Sequence, residues 1–129
     1  MDRLAFTIPG PPRTKKNSPM MIKGRNLLLP SEAFRKYSVA TKPFWAHEGA
    51  LLLGKPIDYP VNVCCVYYMD TKRIVDLVGL LQGSLDLMVE NGILKDDNAR
   101  IAVSYDGSRV LYDKECPRVE VTIERTVGK

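Results

Sequence analysis

The sequence predicts a small α+β domain with one mixed β-sheet and about two main helices, on three observations. Val61–Met69 is rich in β-branched and aromatic residues, the signature of a strand inside a sheet. Directly after it, Leu77, Leu80, Leu81, Ser84, Leu85 and Met88 recur at three- and four-residue spacings, which builds the buried stripe of a helix. Val119–Ile123 then returns to strict alternation, and the 129-residue length suits a single domain, residues 1–129, with one core.

The remaining elements follow in order. Leu4–Ile8 has strand-forming residues and is stopped by Pro9-Gly10-Pro11-Pro12, which gives a strand and a stiff loop. Met20–Ile22 and Asn26–Leu29 read as two short strands about a Gly24 turn, with Lys23 and Arg25 displayed at the tip. Ser31 is placed to cap a helix that runs towards Leu53, with Pro43 expected to kink or interrupt it and Gly54-Lys55-Pro56 ending it. Asn91-Gly92 stops the second helix. Ala99–Tyr105 and Arg109–Tyr112 flank Asp106-Gly107-Ser108 and read as a hairpin. No internal repeat or low-complexity tract interrupts the series.

Composition sets the class. At 45% hydrophobic and 26% charged, with no apolar run of membrane-spanning length and no signal-peptide core after Met1, the chain is expected to be soluble and cytoplasmic, with no membrane partner. Cys64, Cys65 and Cys116 have no metal-ligand spacing and read as buried small hydrophobes. His47 is the only histidine and stands apart from any nucleophile pattern, which argues against His-dependent chemistry.

The net charge of +4 conceals an asymmetry: residues 1–60 carry ten Lys/Arg against four Asp/Glu, residues 61–129 nine against eleven. Arg13, Lys15, Lys16, Lys23 and Arg25 lie in a stretch with no acidic residue, and Lys72-Arg73 precede the second helix; together they would attract a phosphate-rich partner. A solvated basic surface is the plainer reading of that imbalance.

The acidic counterpart is more pointed. Asp76 opens the second helix and Asp96-Asp97 follow its end, three carboxylates at the two ends of one element. Carboxylates brought within about 4 Å repel by roughly 4 kcal/mol at a protein-like dielectric, so such a group calls for a proton, a cation or separation, and Mg²⁺ is the common answer. Asp70, at the end of the central strand, is a weaker candidate. The alternatives are that Asp76 simply caps the helix, and that Asp96-Asp97-Asn98 is an exposed turn. Asp86 and Glu90 read as the helix's wet face.

Ile8-Pro9-Gly10-Pro11-Pro12, Lys15-Lys16-Asn17, Leu29-Pro30-Ser31, Asp76-Leu77-Val78 and Asn91-Gly92-Ile93-Leu94-Lys95-Asp96-Asp97-Asn98 together resemble the RusA family of Holliday junction resolvases, over nearly the whole chain. The resemblance implies a RusA-like fold and a homodimer that binds four-way junction DNA. It further implies paired symmetric nicks with Mg²⁺, or Mn²⁺, held by Asp76 and Asp97, with Asp96 beside them. Where some members have Asp-x-Asp-Asn, this chain has Asp76-Leu77-Val78-Gly79, and a helix Lys of some members falls at Gln82. Those positions motivate a rival, a junction-binding protein on the same fold that does not cut. A third class is a small RNA- or protein-binding domain whose acidic turn is only a loop. Tyr67, Tyr68 and Phe34 are candidates for a dimer surface or for the core.

Overall fold

Local sequence signals and the elements they produce follow one another closely along the chain. The computed structural model describes residues 2–15, 17–22 and 25–126, the side chains of 16–30 excepted. In chain order these are β1 (Arg3–Pro9), β2 (Asn17–Ile22), β3 (Arg25–Pro30), α1 (Glu32–Ala50), β4 (Val61–Met69), α2 (Leu77–Glu90), β5 (Ala102–Ser104), β6 (Arg109–Tyr112) and β7 (Arg118–Arg125). The α+β class expected from the sequence is the one observed. Lys16 and Lys23 lie outside the described residues.

β4 is the interior strand of a mixed sheet. It pairs antiparallel with β7, which pairs antiparallel with β1, while its other edge takes β5 and β6. Alternation decides which face is covered: Val61, Val63, Cys65, Tyr67 and Met69 are buried, and the residues between them are half-buried. Ile8 of β1 and Val119, Val121 and Ile123 of β7 join the same core, which α1 closes with Phe34, Tyr37 and Trp45 and α2 with Leu80, Leu81, Leu85, Leu87 and Met88. Two helices thus cover one face of one sheet. Phe34 and Tyr67 belong to this core rather than to an outer surface, and half-buried Tyr68 lies under the Arg118 guanidinium at 3.8 Å. β2 and β3 pair antiparallel as a separate two-stranded sheet.

Three expectations are corrected. Residues 99–112 do not form a hairpin: β5 and β6 lie in line along the same edge of β4, each parallel to it. Side chains fill the break between them. Asn62 accepts from Ser104 Oγ at 2.6 Å and from the Asp106 N–H at 2.7 Å, and Ser108 Oγ accepts from the Cys65 N–H at 3.0 Å, so β4 stays bonded where its neighbour leaves the ladder. Pro43 does not interrupt α1, which is helical from Glu32 to Ala50. Pro43 and Val39, whose carbonyl loses its helical donor, are both exposed, so water can solvate the freed group. Of the cysteines only Cys65 is buried; Cys64 is half-buried and Cys116 exposed, and all three are free thiols. Burial pushes the Cys65 thiol up to about 12, so it stays protonated.

The helices approach closely where the sequence supplies no side chain. A Cβ on Gly49 would stand 1.8 Å from the Asn91 carbonyl oxygen, so only glycine lets the end of α1 meet the end of α2. No helix among the described residues is long and apolar enough to cross a membrane.

Candidate functional site

The site is organised by α2. Asp76 is its N-cap, in an extended conformation (φ −83°, ψ 112°), with Oδ1 accepting from the Val78 N–H at 3.1 Å. Capping is therefore part of its role, as its residue type allows. At the other end Asn91 and Gly92 stop the helix, and buried Ile93 and Leu94 carry the chain back under it. Leu94 forms a lone parallel bridge with Ile57, through Ile57 N–H to Ile93 O and Lys95 N–H to Ile57 O, both 2.9 Å. Ile101 and Ala102, buried, fix the far end of the turn. The acidic turn is thus anchored at both ends by core residues, while its own side chains stay exposed.

Within it, Asp96 accepts from the Asp97 N–H at 2.7 Å and from Asn98 Nδ2 at 3.2 Å, and Asn98 Oδ1 accepts from the Arg100 N–H at 2.9 Å. Asp97 points towards α2, sharing a trough of about 330 Å³ with Val78, Leu81, Gln82, Leu85 and Tyr105. Slight desolvation of this largely exposed carboxyl first, then the neighbouring Asp96 and the more distant Asp86 charge, raise Asp97 above its ordinary value. The Tyr105 hydroxyl is raised as well, by burial and then by the Asp97 charge.

The structure brings Asp96 and Asp97 together. It does not draw Asp76, Asp96 and Asp97 into one tight group: among the described residues no three His, Cys, Asp or Glu side chains converge as metal ligands. His47 is exposed near the end of α1.

The basic residues divide by what they touch. Arg13 donates from Nη1 and Nη2 to the two oxygens of Asp70 at 3.2 and 3.4 Å, and from Nη1 to the Pro12 carbonyl at 2.9 Å. The guanidinium beside Asp70 holds that carboxyl below its ordinary value, so Asp70 serves an ion pair. Lys15 is bonded to Asp86. Arg73 is exposed, has no acidic partner among the described residues, and shares a cleft of about 310 Å³ with Arg13, Thr14, Asp70 and Thr71. Lys72 lies over the Tyr112 ring, 5.0 Å from its centroid. Arg25 begins β3.

Sequence reasoning passed over Tyr105, took Gly79 and Gln82 only as departures from the family pattern, and put Asp86 on the wet face of the helix. Asp86 is not simply on the wet face: it is half-buried and paired across 71 residues of chain. Its seven-residue distance from Gly79, two turns of one face, was the available signal.

No protein-family model matches the chain, and no curated protein matches it.

Proposed function

We propose that this protein is a metal-dependent, structure-specific DNA endonuclease that resolves four-way Holliday junctions by paired symmetric nicks, in recombination and repair. It would work in the cytoplasm as a homodimer, since symmetric cuts need two sites related by a twofold axis. One observation carries the reading: an anchored acidic turn returns Asp97 to the side of the helix that Asp76 opens, with an arm bearing Arg13 and Lys15 bonded to the same helix.

Asp76, Asp96 and Asp97 offer the carboxylate oxygens that a hard cation prefers; the described residues do not gather the three as ligands, so binding would have to draw Asp76 and the acidic turn together. These three residues would hold Mg²⁺ or Mn²⁺. Such an ion supplies charge neutralisation at a phosphodiester and a more acidic attacking water. Asp76 would offer its oxygens from the helix start and Asp97 from the returning turn. Asp96 braces that turn through its bonds to the Asp97 N–H and Asn98. Lys72 and Arg73 would meet phosphates beside the site, with Lys16, Lys23 and Arg25 extending the basic surface; such contacts hold DNA without reading its sequence, so junction shape does the selecting.

The test compares an end-labelled four-way junction with a linear duplex of matching sequence, in Mg²⁺ and in EDTA, for the unaltered protein and Asp97→Asn. Symmetric metal-dependent nicks, reduced by about a hundredfold or more in Asp97→Asn, are expected. Equal cutting by the variant would remove Asp97 from the chemistry. Val78, 70% exposed, and Gln82 line the trough that Asp97 enters, where the resemblance would supply an acid and a lysine. That favours one second reading, a junction-binding protein that does not cut, and tight binding without nicks would identify it.

A further inference from the structure

Segment 12–15 is fastened to α2 at two points, both through Lys15. The Lys15 N–H donates to the Gly79 carbonyl at 3.4 Å, one turn into the helix. Gly79 eases that approach: a Cβ there would stand 3.3 Å from Thr14 Cβ and 3.3 Å from Asp76 Oδ2, so those side chains would have to give by a few tenths of an ångström. Lys15 then reaches along the helix to Asp86, two turns further on, where both side chains are about a third exposed or less (28% and 31%). Upstream, Arg13 is forked onto Asp70 at the end of β4. The arm therefore bridges the end of the central strand and two turns of α2, and it sets Thr14, like the Asp76 carboxylate, against Gly79.

The charges of Arg13 and Lys15 are consequently engaged within the molecule. A lysine that holds an internal carboxylate contributes little to counterion release on DNA, but its loss frees the arm it holds and leaves Asp86 uncompensated within electrostatic range of Asp97.

We propose that Lys15 and Asp86 are positioning residues of the candidate site: their ion pair, with Gly79 as its seat, clasps segment 12–15 across α2 and fixes the arm beside Asp76. The catalytic consequence rests on the endonuclease reading; the clasp itself does not.

Two measurements separate them. Asp86→Asn keeps every tryptic site, and limited trypsin digestion after Arg13 and Lys15 should run about tenfold faster than in the unaltered protein, because local opening governs cleavage. In junction nicking, Asp86→Asn and Lys15→Met should each lower kcat by about tenfold to a hundredfold while changing KM by less than about twofold. The exchanged pair Lys15→Asp with Asp86→Lys should recover much of the nicking rate. An unchanged tryptic rate in Asp86→Asn would overturn the clasp. A raised KM with unaltered kcat in Lys15→Met would make Lys15 a phosphate contact instead. Should the unaltered protein bind but not nick, the endonuclease reading fails alone, and the tryptic comparison still decides the clasp.

Discussion

At the scale of single residues, the buried side-chain polar groups among the described residues have partners and so make clean predictions. The Tyr67 hydroxyl and Ser84 Oγ meet at 2.8 Å inside the core, and Trp45 Nε1 donates to Thr41 Oγ1 at 3.0 Å, which itself donates to the Tyr37 carbonyl. Tyr67→Phe takes that partner from buried Ser84 Oγ, and Ser84→Ala leaves the Tyr67 hydroxyl with only the Cys65 thiol. Tyr67→Phe and Ser84→Ala should each cost about 1–3 kcal/mol in denaturant unfolding, and the double variant should cost clearly less than the sum. Additive losses would mean the two hydroxyls do not interact.

The Arg13–Asp70 pair gives a pH signature at the same scale. Asp70 has a depressed pKa in the folded state, so its contribution is present above the ordinary carboxylate value near about 3.9 and fades as pH falls through and below it. Asp70→Asn lacks that contribution at every pH. The stability gap between the unaltered protein and Asp70→Asn should therefore be widest near neutrality and shrink towards pH 3, measured by urea unfolding across that range. A gap that holds constant into acid would show that the guanidinium does not depress this carboxyl.

Among elements, what could be read from sequence depended on whether the deciding contact was local. The strand at Val61–Met69, the stripe of α2 and the caps Ser31 and Asp76 all follow from short-range pattern, and each appears where the pattern puts it. The segment after α2 was different. Two short apolar runs around Asp106-Gly107-Ser108 look alike whether they pair with each other or sit end to end on a third strand. The outcome rests on Asn62 and Ser108, whose bonds to the gap span more than 40 residues. Pro43 shows the same limit, since its cost in a helix depends on whether the freed carbonyl is wet. Asp97 was legible as part of an acidic turn, whereas Asp86 was not, because its partner Lys15 lies in a loop with no periodicity to align it.

Helix packing also yields an element-scale prediction. Gly49 sits where α1 meets the end of α2, and Gly49→Ala would force a methyl group into the Asn91 carbonyl, so the two helices must part. Backbone cannot swing aside as a long side chain can. A loss of about 3 kcal/mol is expected in equilibrium unfolding. Asn91 stops α2 immediately before the buried Ile93-Leu94 return, so the same substitution should also loosen the turn that carries Asp96 and Asp97, seen as faster amide exchange there. Unchanged stability would show that this junction yields without strain.

For the whole molecule, the decisive quantity is which positive charges remain available to a polyanion. Counting from sequence treats Arg13, Lys15, Lys72 and Arg73 alike. In the folded chain Arg13 faces Asp70 and Lys15 faces Asp86, whereas exposed Lys72 rests on a Tyr112 ring and exposed Arg73 has no acidic partner among the described residues. Each phosphate contact on duplex DNA contributes about 0.9 to the slope of log affinity against log salt. If both Lys72 and Arg73 touch phosphates, the double variant Lys72→Gln with Arg73→Gln should bind a four-way junction more weakly and lower that slope by about 1.8, whereas Lys15→Met should leave it nearly unchanged. Equal slope losses for Lys15→Met and Arg73→Gln would mean that DNA pulls Lys15 from Asp86, and the folded charge pairing would then have to reorganise when the junction binds.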